Sequence, residues 1–159
     1  GFTLIELMVI LSITAILGMV GIAGFNNYNK VQTLQNATND LVTTLNTAKS
    51  RVASQIKVGI NCSLQTNTLD SYEVQISIVA KSYNLIIHCN NGVSNFSNII
   101  YTKLLPADIS FKPAPDTSPA SYIFPVLKGG VTAGGQIVLI DSDNRQRTIT
   151  VTSLGGINQ

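Results

Sequence analysis

GFTLIELMVILSITAILGMVGIAGF, residues 1–25, decides how the rest of this chain is read. Glu6 is its one ionisable side chain, and after it no charge appears until Lys30. Coiled into a helix, Phe2 to Phe25 would extend ~36 Å at ~1.5 Å per residue. That exceeds the ~30 Å hydrocarbon core of a bilayer. An acid inside such a segment costs free energy and marks a functional position. The N-terminal end of a helix suits it, because partial positive charge and unpaired N–H groups collect there.

The run Gly1-Phe2-Thr3-Leu4-Ile5-Glu6, followed by about twenty apolar residues, resembles the N-terminus of type IV pilins and of the pseudopilins of type II secretion. The resemblance implies that a prepilin peptidase cuts between Gly1 and Phe2 and methylates the new Phe2 amine. It also implies that Glu6 of one subunit pairs with the Phe2 amine of a neighbour in a filament core. Such a pair rewards correct axial register, since a lone buried charge is expensive. The partners implied are copies of the chain or sibling pilins, the peptidase, and an assembly ATPase acting through a membrane platform. Before assembly the helix would anchor the chain in the cytoplasmic membrane; afterwards the filament is extracellular. The plainer alternative is an ordinary single-pass anchor that carries one Glu and a monomeric binding module. A secretory signal fits less well, because the apolar run is too long and no small-residue cleavage site follows it. In the family a short basic leader precedes the Gly.

The 159 residues divide naturally into this helix and one domain of roughly 100 residues. Charged residues make up 11% of the chain, below the ~25% of ordinary globular proteins. Ser, Thr, Asn and Gln fill the gap. A net charge of +2 with scattered basic residues argues against a nucleic-acid-binding domain. Cys62 and Cys89 both lie beyond the apolar helix, and in an exported domain an even pair reads as a disulfide. Two buried free thiols are the alternative. A metal site would need more ligands than this pair and His88 supply.

Past the apolar run, Val31, Leu34, Ala37, Leu41, Leu45, Ala48, Val52 and Ile56 recur at three- and four-residue steps, with Thr38, Asn39, Asp40, Thr43 and Lys49 largely between them. No proline interrupts residues 1–105, so one helix to about Gln55 is expected, ~80 Å long. Many pilins carry a proline at the position of Ala23. Here Gly18, Gly21 and Gly24 stand nearby, each weakening the helix by roughly 1 kcal/mol relative to Ala. They serve either local melting or close helix packing in a membrane.

From Gly59 the period becomes two. Tyr72, Val74, Ile76 and Ile78 alternate with Glu73, Gln75 and Ser77 as a half-buried strand, and Asn84–Cys89 gives a second. Ile99–Tyr101 and Ile109–Lys112 are shorter strand segments. All five prolines fall in residues 106–125, which marks an irregular connection or edge segments. A final hairpin runs Gly135–Ile140 and Gln146–Thr152 around Asp141-Ser142-Asp143-Asn144. Its sequence is loosely similar to the C-terminal hairpin of the H-type pseudopilin and FimT-like group. The expected class is α+β: a polymerisation helix over residues 1–25, an amphipathic continuation over 26–56, and an antiparallel β-sheet head over 57–159 on which it packs.

Motifs for catalysis are missing from the sequence, which has no G-x-S-x-G, phosphate loop or metal cluster. The expectation is a non-enzyme without cofactor or metal. His88 in NLIIHC reads as a cross-strand surface residue or a satisfied one. Asp141 and Asp143 could hold Ca²⁺, but Asp is also a good turn residue. FimT-like pilins contact DNA through a Gly-Arg-x-Arg motif; Asn144-Arg145-Gln146-Arg147 lacks the glycine. Arg145 and Arg147 therefore read as DNA contacts, as a solvated hairpin face, or as intersubunit partners of Asp108 or Asp116.

Overall fold

The structure, a computed structural model, describes residues 1 and 3–159, and for residues 19–24 the backbone alone. The elements run α1 (Leu4–Ala53), β1 (Thr68–Ser77), β2 (Ser82–Asn90), β3 (Asn95–Leu104), β4 (Ile109–Phe111), β5 (Ser121–Pro125), β6 (Gly135–Asp141), β7 (Gln146–Val151) and β8 (Ile157–Asn158). The class is α+β with antiparallel pairing throughout. Two compact units divide the chain, Gly1–Thr33 and Leu34–Gln159.

In the first unit α1 begins behind Thr3. In the second, α1 ends in a Schellman motif. Gln55 takes the left-handed conformation at φ 50°, its N–H donates to Val52 O, and Ile56 N–H donates to Arg51 O. Two of the last orphan carbonyls are thereby satisfied without a glycine. The expected stripe is buried from Leu34 to Val52 (Leu34, Ala37, Leu41, Leu45, Ala48 and Val52). Its two end members, Val31 and Ile56, are exposed, Ile56 because it lies past the end of the helix. Thr38, expected on the polar face, is buried too. Its hydroxyl donates to Leu34 O at 2.8 Å, so the helix itself satisfies it.

The strands form two four-stranded sheets, ordered β3-β2-β1-β5 and β4-β6-β7-β8, where the sequence suggested one. In the first, Tyr72 pairs with Ile87 and with Phe124, which aligns the buried alternation of three strands. β3 is longer than expected because its pairing with β2 runs from Asn95 to Leu104, interrupted by a bulge between Leu85 and Ile86. β5 lies inside the proline-crowded region and sits at a sheet edge, where Pro125 removes no interior ladder bond. In the second sheet the expected hairpin forms, with Ile137 opposite Ile149. Gly135 is required there, since a Cβ would lie 2.0 Å from Ser118 O. The buried apolar residues make one cluster that includes the six helix residues, Tyr72, Val74, Leu85 and Ile87 of the first sheet, and Ile137, Leu139, Ile149 and Val151 of the second.

Candidate functional site

Thr3 precedes the first helical residue and Glu6 follows three later, the spacing of a capping box. Both halves of that box are made. Thr3 N–H and Thr3 Oγ1 donate to Glu6 Oε2 at 2.9 and 2.8 Å, and Glu6 N–H donates to Thr3 Oγ1 at 3.4 Å. The chemistry gained is a carboxylate held over the N–H end of the helix, where the dipole favours an anion. Thr3 went unused in the sequence reading, although T-x-x-E ahead of an apolar run is its signature. Gly1 is exposed, and the expected cleavage and N-methylation at Phe2 lie outside the described residues.

Behind this cap, Leu4, Ile5, Leu7, Met8, Val9, Ile10, Leu11, Ile13, Ile16 and Leu17 are each more than half exposed. They occupy every side of the helix. Ser12 and Thr14 return their hydroxyls to Met8 O at 2.8 Å and Ile10 O at 2.9 Å, so no side-chain donor in that stretch needs water. A contiguous apolar surface of this kind marks a binding or membrane surface. Among the described residues no helix is long and apolar enough to cross a membrane. The span expected from the sequence runs through residues 19–24, whose side chains lie outside the description.

In the unit from Leu34 onward, Cys62 and Cys89 form a disulfide with Cα atoms 5.6 Å apart. It ties the loop after α1 to the end of β2. Tyr72 OH donates to Ile56 O at 2.7 Å and Lys57 Nζ to Asn67 O at 2.9 Å, fixing the same loop from two further sides.

Arg145 and Arg147 are not equivalent. Arg145 precedes β7, and its Nε and Nη2 donate to Asp141 Oδ2 at 2.7 Å and Asp143 Oδ2 at 2.6 Å. Asp141 is nearly enclosed, with 1% of its side chain exposed, and also accepts from the N–H groups of Asp143 and Arg145. Burial opposes its ionised form, but the Arg145 and Asp143 donors outweigh it and lower its pKa. The aspartates weighed for Ca²⁺ are thus engaged by a guanidinium within their own turn. Asp116, weighed as an intersubunit partner, is paired with Lys112 at 3.1 Å. Arg147 lies within β7, opposite Leu139, and is exposed.

His88 has a partner on each ring nitrogen, Ser97 Oγ at 2.9 Å and Glu73 Oε2 at 2.7 Å. These residues lie on three separate strands, β1, β2 and β3, and only strand register brings them together; Ser97 fell in no segment expected from the sequence. Among the described residues no group of three or more His, Cys, Asp or Glu is placed to hold a metal ion. An apolar cavity of about 410 Å³ beside Val52, Phe124 and Val126 has Lys49 as its one ionisable lining residue, and that amine donates to Gly155 O at 2.8 Å. No family model, no curated protein and no solved structure matches the chain.

Proposed function

We propose that this protein is a structural subunit of a type IV pilus-like filament, assembled through its N-terminal helix. One observation carries the reading: an apolar helical surface, exposed on all sides, is headed by a single carboxylate locked at its N-terminal end. A solitary soluble domain gains nothing from that surface, whereas a subunit that exchanges lipid for copies of itself uses all of it. In this architecture residues 1–25 are the polymerisation segment, and the amphipathic half of α1 packs on the antiparallel sheets of the head. Prepilin peptidase cuts between Gly1 and Phe2 and methylates Phe2. Glu6 then sets register by pairing with the Phe2 amine of a neighbour, released from its own Thr3. The chain begins in the cytoplasmic membrane and ends in an extracellular fibre raised by a platform and its ATPase. Its chemistry is assembly and needs no cofactor.

The deciding experiment is intact-mass and N-terminal analysis of chain recovered from filaments sheared off the cell surface. N-methyl-Phe2 in quantity is the expected result. The same terminus in trace amounts would reassign the protein to a minor pilin or a type II secretion pseudopilin. An uncut chain confined to membranes would overturn the filament and leave a monomeric anchored module. Capture of DNA through Arg145 and Arg147 is disfavoured because Arg145 already spends its guanidinium on Asp141 and Asp143.

A further inference from the structure

The chain contains one histidine, and it sits in a hydrogen-bonded series that filament assembly does not use. β2 brings His88 opposite Ser97 of β3, and Glu73 of β1 reaches the same ring. An ionised carboxylate can only accept, so the 2.7 Å contact with Glu73 Oε2 requires the proton on His88 Nε2. With that tautomer, a neutral ring has its Nδ1 lone pair facing Ser97 Oγ, 2.9 Å away. Glu73 keeps 13% of its side chain exposed and His88 28%, while Ser97 is open to solvent. A hydroxyl, a base and a group orienting the base therefore stand in order, with the hydroxyl outermost.

Two further features surround Ser97. β3 is an edge strand, and alternate N–H groups of an edge strand point away from its partner. Ser97, or else its neighbours Phe96 and Asn98, thus offers an N–H that β2 does not take. Ile99, two residues along the strand, is 61% exposed and supplies an apolar contact beside the hydroxyl.

We propose that Ser97 is an activated nucleophile that takes an acyl group from a carboxylic ester. Ser97 Oγ attacks the ester carbonyl carbon while its proton passes to His88 Nδ1. An edge N–H is the donor available to the oxyanion. Collapse of the tetrahedral adduct breaks the bond to the alcohol oxygen, and the alcohol leaves with the proton from Nδ1. The products are an acyl ester on Ser97 and the free alcohol, so no oxidant, reductant or metal enters. Glu73 touches no substrate. It is a positioning residue, holding the Nε2–H tautomer and stabilising the imidazolium that forms in the attack.

The test is labelling of the full chain, in detergent, with a fluorophosphonate probe followed by peptide mapping. Ser97 should react at least ~10-fold faster than Ser94, an exposed serine on the preceding turn that lacks a base. His88→Gln should slow Ser97 by ~100-fold, the usual contribution of a general base. Glu73→Gln should slow it by about 10-fold, and should turn the single histidine ¹⁵N signature from a pure Nε2–H tautomer into a mixture, with the melting temperature little changed. Treatment with p-nitrophenyl acetate should leave its acetyl group on Ser97. Ser97 reacting no faster than Ser94, or labelling that survives His88→Gln, would overturn the proposal. Neither result bears on whether filaments form.

Discussion

Asp40 accepts from Tyr83 OH at 2.5 Å and pairs with Lys103, whose amine lies 5.6 Å from the Tyr101 ring centroid. Burial opposes the ionised form of this carboxyl, but the Lys103 and Tyr83 hydrogen bonds outweigh it and its pKa falls. Asp141 is lowered by the same balance with Arg145. The sign follows directly. A carboxyl depressed in the folded state adds stability above its unfolded value of ~3.9, and loses it as pH drops through the folded value. Thermal melts should therefore be flat from neutral pH to about 5 and fall steeply below about 4, less steeply in an Asp40→Asn, Asp141→Asn double variant. Asp141→Ala leaves two N–H groups and a guanidinium short of an acceptor and should cost about 2 kcal/mol in denaturant titration. Burial pushes the Tyr122 phenol up to about 12, so it stays protonated throughout these experiments. At the other end of α1, Glu6→Ala should spare membrane insertion and cut filament yield. Undiminished yield would remove the register-setting role, while a simple fraying of the first turn would show as lost helix signal.

At the scale of elements, the loop between α1 and β1 has little regular structure and depends on its ties. Opening the Cys62–Cys89 bond with a double Cys→Ser change should cost about 3.5 kcal/mol on the loop-entropy estimate for a separation of 27 residues. Leu45, fully buried on the helix stripe, should lose about 3 kcal/mol on truncation to Ala, read as a lowered denaturation midpoint. Legibility differed by element for physical reasons. α1 from Leu34 onward, β1 and β7 announce themselves because each buries one face, and burial writes a period of 3.6 or 2 into the residues. β2 and β6 show instead as short apolar runs, with Leu85–Ile87 and Ile137–Leu139 buried in succession. β3 hides seven of its ten residues because polar Asn98 lies in the strand, donating to Cys62 Sγ, and a bulge resets the alternation. β5 carries Pro125 and β8 has two residues, too few for any period to show.

On the scale of the whole molecule, the apolar cluster among the described residues begins at Leu34. A chain lacking residues 1–33 should therefore form the disulfide and melt cooperatively, yet give no filaments when expressed in place of the full chain. Failure to fold would mean that the first unit supports the second. The sequence by itself determined the division into an apolar helix, an amphipathic continuation and a β-rich remainder, the helical span, and most strand positions. Those properties are local, since charge, period and proline placement act within a few residues of one another. Only the tertiary structure decided that there are two sheets, that Arg145 closes on Asp141 and Asp143, and that Glu73, His88 and Ser97 meet. The arginine contacts close inside one turn, where the path of the backbone between β6 and β7 sets the approach. The two sheets and the meeting of Glu73, His88 and Ser97 depend on register between separate strands. A slip of one residue would send every such side chain to the opposite face, and no local pattern specifies which residue of one strand lies across from which residue of the next.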